Sequence, residues 1–248
     1  MASLWIVTPA HGRLGLTSIV FEQRARLCDE LIRRGIDANC VVVACDENLE
    51  LADEFGFASV ERDNEWLGMR FNDGYQAAAR LGVDYVMPCG SDSFLDPSYF
   101  DDLPSQPDST IKLSRWYSVY PAAGDRRGEI YVKAPIGVSF TIPTTLLEPF
   151  GYRPCENAIK KGCDTSTFRT ITRPRRSSDW SLVEREGHPL EIVGFHTNSE
   201  TQISSYHKLV RRWGVREVTE QPFDALRAVY PTDLVDRVVD YYAEGATG

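Results

Sequence analysis

Three short segments of the 248-residue chain gather acids, hydroxyls and an arginine: Thr8-Pro9-Ala10-His11-Gly12-Arg13, Asp46-Glu47-Asn48 and Gly90-Ser91-Asp92-Ser93. Each follows an apolar run, at Leu4 to Val7, Cys40 to Cys45 and Val83 to Cys89. A fourth segment, residues 158–176, holds Lys160, Lys161, Arg169, Arg173, Arg175 and Arg176 against the acid Asp164. Its net charge is +5 on a chain of −9, so the rest carries −14. An acidic body argues against nucleic-acid binding over the whole surface, whereas a local cationic patch suits a phosphate-bearing ligand. A solvated basic loop accounts for the same residues equally well.

The elements that must position these groups alternate between strand and helix over the first hundred residues. Leu4 to Val7 reads as a buried strand. Thr17 or Ser18 is expected to cap a helix running to Arg34, where Gly35 ends it. Cys40 to Cys45 reads as a second strand, Leu49 to Phe55 as a short helix and Ala58 to Val60 as a third strand. Phe71 to Leu81 reads as a helix and Val83 to Cys89 as a fourth strand. Apolar strands without alternation, separated by helices, predict a parallel sheet covered on both faces. Ligands bind beyond the carboxyl ends of such strands, so the first three segments should converge on one crevice. The second half is more mixed. Thr110 to Tyr120, Ile130 to Lys133, Gly137 to Ile142 and Leu190 to Phe195 read as strands, partly antiparallel. Helical character is expected at Thr144 to Phe150, Asn157 to Thr170, Pro222 to Tyr230 and Pro231 to Glu244.

This arrangement resembles glycosyltransferases of the GT-A fold, above all those of family 2. Val7 to Arg13 looks like their first strand and loop, and Val41 to Asp46 like their second strand, which ends in an acid near the nucleobase. Asn64 to Gly74 is similar to their segment before the third helix. Asp84 to Ser93 is similar to the strand entering their Asp-x-Asp metal motif. The likeness is good over roughly residues 4–100 and loose over 130–200. It implies an α/β, Rossmann-like nucleotide-sugar-binding core with a mixed central sheet. Residues 1–205 would form the catalytic domain, with a nucleotide-binding half to about 103 and an acceptor half after it. Residues 206–248 would form a helical extension.

The resemblance also implies roles. The donor, most naturally a UDP-sugar, would meet backbone groups of Thr8, Pro9 and Ala10. Asp46 would accept from a uracil-like N–H, although a helix-capping role competes with this. Arg13 would reach the diphosphate, Arg70 a phosphate or the ribose, and Ser91 and Asp92 the phosphate end. Mn2+ or Mg2+ would bridge the diphosphate. Here the pattern departs from the family, because Gly90 replaces the first aspartate and leaves Asp92 with His196 as a second ligand. Asp164 would take the acceptor's proton in an inverting reaction, with Asp179 and Glu156 in reserve.

The acceptor side would draw on Arg173, Arg175, Arg176 and Trp180. The compact chain resembles glycosyltransferases carried by bacteriophages, which makes a hydroxymethylated pyrimidine in DNA a candidate acceptor. Two other classes stay open. A sugar-phosphate nucleotidyltransferase would bring a Gly-rich loop with a nearby lysine, and His11-Gly12-Arg13-Leu14-Gly15 has no lysine. A nucleotide-sugar-binding protein without catalysis would explain the missing acid at position 90.

Composition sets the outer bounds. With 42% hydrophobic and 25% charged residues, the chain can bury a sizeable core. No stretch reaches the ~20 apolar residues of a membrane helix, and the start reads as a strand rather than a signal sequence. A cytoplasmic location, with the six cysteines reduced and no membrane partner, is the expectation.

Overall fold

The computed structural model describes residues 1–103, 110–113, 116–119, 129–132, 140–160, 162–173, 181–184, 190–195 and 222–245. The first half follows the expected alternation: β1 (Ala2–Pro9), α1 (Leu14–Arg33), β2 (Ile36–Ala44), α2 (Asn48–Glu54), β3 (Ala58–Glu61), α3 (Leu67–Arg80) and β4 (Tyr85–Pro88). The strands β5 (Ser93–Leu95), β6 (Thr110–Leu113), β7 (Trp116–Val119), β8 (Glu129–Val132) and β9 (Phe140–Pro143) follow. They precede α4 (Cys163–Thr172), β10 (Ser181–Glu184), β11 (Ile192–Phe195), α5 (Pro222–Arg227) and α6 (Thr232–Gly245).

Seven strands form the central sheet in the order β10-β6-β9-β4-β1-β2-β3. β3, β2, β1 and β4 are parallel, while β9 runs antiparallel to both β4 and β6. The sheet is therefore mixed. Alternate residues of β1 supply two cores. Leu4 and Ile6 pack with Phe21, Leu27 and Leu31 of α1, and Val7 packs with Tyr75 and Ala78 of α3 and Ile171 of α4. Burial on both faces explains why these strands read as unbroken apolar runs. A smaller sheet, β5-β11-β7-β8, lies beside the first. A third core joins it to α1 through Leu16, Ile19 and Val20, and to Phe223, Leu226, Leu234 and Val238 of the last two helices.

Three expectations need correction. Helix α1 starts at Leu14, not after Thr17 or Ser18, because the chain turns on consecutive left-handed residues, Gly12 (φ 56°) and Arg13 (φ 50°). The stretch Thr110 to Tyr120 is two strands, and β6 joins the central sheet while β7 joins the smaller one. Residues 144–150 form two short 3-10 turns instead of one helix. The strands β5 and β10 were not anticipated. Three residues and a weakly apolar Ser-Leu-Val-Glu carry little periodic signal.

Helix α3 lies against the sheet through Gly74, where an added Cβ would overlap Val7 Cγ1. Val7 is β-branched and fully buried, so it has nowhere to yield. Gly74→Ala should therefore lower stability by ~1–3 kcal/mol through overpacking, despite the ~1 kcal/mol that alanine gains in helix propensity. A drop in the urea-unfolding midpoint would show it.

Candidate functional site

The parallel strands run in the order 3-2-1-4, so the chain reverses its direction of travel across the sheet between β1 and β4. Ligands of open α/β sheets bind at this switch point, beyond the carboxyl ends of the strands. Arg13, which follows β1, and Asp92, which follows β4, meet across it. Arg13 Nη1 lies 3.1 Å from Asp92 Oδ2, and Nη2 donates to Ser91 Oγ at 3.3 Å. The side chains of this pair are 23% and 29% exposed. A partly exposed pair stabilises a fold by only ~0–1 kcal/mol. A left-handed non-glycine backbone costs roughly 1–2 kcal/mol. Arg13 is thus held in a strained conformation that the pair barely repays, as is common at functional sites.

The loop that presents Arg13 is built by two polar clusters. In the first, the Arg70 guanidinium is buried and donates to the carbonyls of Ala10 and Val43, the latter at 2.6 Å, and to Asn64 Oδ1 at 2.6 Å. The Ala10 N–H also donates to Val43 O at 3.0 Å, so the end of β1 is laced to the end of β2. Burial lowers the Arg70 pKa, which still leaves a guanidinium charged.

In the second, Asp46 Oδ2 accepts from the Gly12 N–H at 2.8 Å and lies 2.9 Å from His11 Nδ1. Oδ1 accepts from the Asn48 N–H at 3.1 Å and from its side-chain amide at 2.6 Å. Burial pushes this carboxyl up, but the hydrogen bonds from Gly12 and Asn48, with His11 nearby, outweigh it and hold the pKa below its ordinary value. Asp46 is thus ionised and four-fold occupied. His11, half exposed, is the most displaceable of its partners.

These placements refine the residues singled out in the sequence. Thr8, Pro9 and Ala10 are buried, so at this strand end the accessible groups are His11, Gly12 and Arg13. Arg70 faces the loop's carbonyls from below. Ser91 is 2% exposed and reaches Arg13. Asp164 is the second residue of α4, and Gly162 rather than Asp164 takes the N-cap position. Arg173 sits exposed at the end of α4. His196, Arg175, Arg176 and Trp180 lie outside the described residues, as does the side chain of Asp164.

Several supporting residues were not anticipated. Asn72 brackets Cys155, donating to its carbonyl at 2.8 Å and accepting from its N–H at 3.0 Å. The Gly68 N–H donates to Ile159 O at 3.1 Å, and a Cβ there would overlap the Glu156 carbonyl. Asp73 pairs with Arg62 and Arg153. The first turns of α3 thereby hang the segment 153–159, which leads into α4, on the same helix turns that hold the loop carrying Arg13. From the last helix, Tyr242 comes near the Arg13–Asp92 pair. Burial first, and then the Asp92 carboxylate, push its phenol well above its ordinary value. Asn48, two residues past an aspartate, was legible as an Asx turn. Nothing local marks Tyr242, 150 residues from Asp92.

The sequence matches no family model and no curated relative. The fold does have solved counterparts. S. aureus TarS in complex with UDP is 11% identical over 79% of this chain and 61% of that one, with a TM-score of 0.55. A longer form of TarS gives a TM-score of 0.54 at 11% identity, over 79% of this chain and 37% of that one. The chain thus spans less than two thirds of the TarS proteins it matches. Drosophila β1,4-galactosyltransferase 7, in complex with manganese, UDP-Gal and xylobiose, is 11% identical over 89% of this chain and 84% of its own, with a TM-score of 0.52. At these identities the likeness concerns architecture: the chain has the GT-A fold of nucleotide-sugar transferases.

Proposed function

We propose that the chain is a glycosyltransferase that moves a sugar from a nucleotide-sugar, with UDP as the nucleotide, to an acceptor hydroxyl. The observation that carries this reading is the meeting of Arg13 and Asp92 across the switch point of the sheet, under a loop tied down by Asp46 and Arg70. The two counterparts of like fold bind UDP in one case and manganese with UDP-Gal in the other. The base would rest on the turn of His11 and Gly12, where a uracil N–H can take the place of His11 on Asp46. The diphosphate would meet Arg13, whose planar fork suits phosphate oxygens. Thr8, Pro9, Ala10 and Arg70 act through the loop they hold.

A divalent cation fits here as a sparse site. Among the described residues no cluster of three His, Cys, Asp or Glu side chains can hold a metal. Magnesium and manganese nevertheless bind with one or two protein carboxylates when phosphates and waters complete the sphere. Asp92 supplies the carboxylate. The Phe195 N–H donates to Asp92 O at 2.6 Å, so the chain leaves β11 beside Asp92 one residue before His196, the proposed second ligand. Such a cation would neutralise charge on the departing diphosphate. Asp92, turned to it, would free Arg13 for the phosphates.

In the reaction, Asp164 in the first turn of α4 would take the proton of the acceptor hydroxyl. The acceptor oxygen would bond to the anomeric carbon as its bond to the phosphate oxygen breaks, with inversion, and the nucleoside diphosphate would leave. For the acceptor we propose a hydroxymethylated pyrimidine in DNA. The cationic stretch with Arg173, Arg175, Arg176 and Trp180 supports that choice. A base held in a duplex would have to be flipped out to reach the donor.

A screen of nucleotide-sugars by thermal shift, with and without manganese, tests this reading. A donor should raise Tm by mass action, and Asp92→Asn should remove the manganese-dependent part. An undiminished response in that variant would reject the metal assignment, and no response to any nucleotide-sugar would reject the donor site. Asp164→Asn should cut kcat by ~10²–10⁴ while UDP affinity, read by calorimetry, holds. Arg13 and Arg70 should separate by effect. Arg13→Gln should weaken UDP binding with little change in urea-unfolding stability, whereas Arg70→Met should weaken binding and also cost ~1–3 kcal/mol, because the buried Ala10 carbonyl loses this donor and the Val43 carbonyl is left with the Ala10 N–H alone.

A further inference from the structure

Helix α4 and the segment that precedes it flank an open, polar cavity of about 420 Å³. That volume falls in the range of small-molecule sites. Its wall is one face of α4: Thr165, Ser166, Arg169, Thr170 and Arg173, with Glu156 opposite on the segment hung from α3. Residues four apart on a helix are neighbours, so Arg169 and Arg173 present two guanidinia side by side. Neither makes an ion pair among the described residues, and both are exposed. Like charges at this spacing repel by ~0.2–0.5 kcal/mol. The helix carboxyl end offsets part of that, but not the placement of both cations on a concave wall lined by three hydroxyls.

Two cations and a row of hydroxyl donors make a phosphate-binding chemistry, and the Glu156 backbone N–H on the opposite side already donates to Ser166 Oγ at 3.0 Å. We propose that this cavity binds a phosphate ester of the acceptor, held by Arg169 and Arg173 with help from Thr165, Ser166 and Thr170. This deepens the acceptor reading given above and rests on it for the role, though not for the chemistry. The placement suits that role. Gly68 and Asn72 fix the cavity's far wall to the first turns of α3, which also carry Arg70 and so the donor loop. Thr165 and Ser166 adjoin Asp164 in the first turn of α4. A phosphate anchored here would hold a neighbouring hydroxyl at the mouth of the crevice, next to the proposed base.

The test is calorimetric titration of the full chain with inorganic phosphate, glycerol 3-phosphate and a short single-stranded oligothymidylate. The double variant Arg169→Gln/Arg173→Gln and its lysine counterpart are titrated in parallel. Binding of at least one probe, weakened tenfold or more in the glutamine variant and largely restored by lysine, is the expected result. Preference for the oligonucleotide, with a salt slope reduced by about 1 for each lost contact, would identify a phosphodiester. Preference for glycerol 3-phosphate would identify a small phosphorylated acceptor. No saturable binding of any probe, or binding unchanged in the glutamine variant, would overturn the proposal. UDP titration of the same proteins keeps the two readings apart. UDP should bind the variants as it binds the parent, which also reports that they fold. Failure of the parent to bind UDP would sink the donor reading and leave the phosphate result standing.

Discussion

A single buried guanidinium governs the loop at the switch point of the sheet. Arg70 enters from the first turn of α3 and satisfies the carbonyls of Ala10 and Val43, where β1 and β2 end. Beyond those residues the strands no longer bond to one another, and the chain must turn into α1 and α2. Without Arg70 the buried Ala10 carbonyl would lose that donor, at a cost of ~1–3 kcal/mol, and the Val43 carbonyl would keep only the Ala10 N–H. With Arg70 in place the loop can stand in a left-handed turn and carry Arg13 to Asp92. The strain at Arg13 is tolerable because the loop is over-determined from beneath, by Arg70, and from the side, by Asp46.

The same helix turn couples the two halves of the proposed site. Gly68 and Asn72 hold the segment before α4, while Arg70, between them in sequence, holds the donor loop. α3 is therefore a spacer between the Arg13–Asp92 pair at the switch point and the cationic cavity on α4. Its close seat on the sheet at Gly74 leaves little freedom to tilt. A transferase needs its two substrates at a set distance, because a misplaced acceptor loses the advantage of proximity. Here that distance would be set by the Arg70 and Asn72 side chains and the Gly68 N–H, each bonded to main-chain carbonyls.

Much of this was legible in the sequence. Unbroken apolar runs announced a buried parallel sheet, and its topology announced that the strand ends carrying Arg13, Asp46 and Asp92 would meet. What escaped had no local signature. Thr17 looked like a cap because its side chain suits one, but two left-handed residues had already started α1. Arg70 looked like a phosphate ligand, whereas it donates to Asn64 Oδ1 and to two main-chain carbonyls that carry no mark in the sequence. Asp46 offered two roles, capping or base recognition; Glu47 takes the N-cap position of α2, while Asp46 ties the Asn48 N–H to the Gly12 loop and leaves His11 exchangeable. Tyr242 and the wall between Glu156 and Arg173 depend on long-range packing, beyond the reach of any period of 2 or 3.6.

The most direct measurement is a crystal structure of the protein with UDP and manganese. The account predicts the diphosphate within hydrogen-bond reach of Arg13, the cation on Asp92, and the uracil against the turn of His11 and Gly12 with its N–H on Asp46. UDP bound away from the β1–β4 switch point, or lodged on Arg169 and Arg173 with the Arg13–Asp92 pair undisturbed, would contradict it.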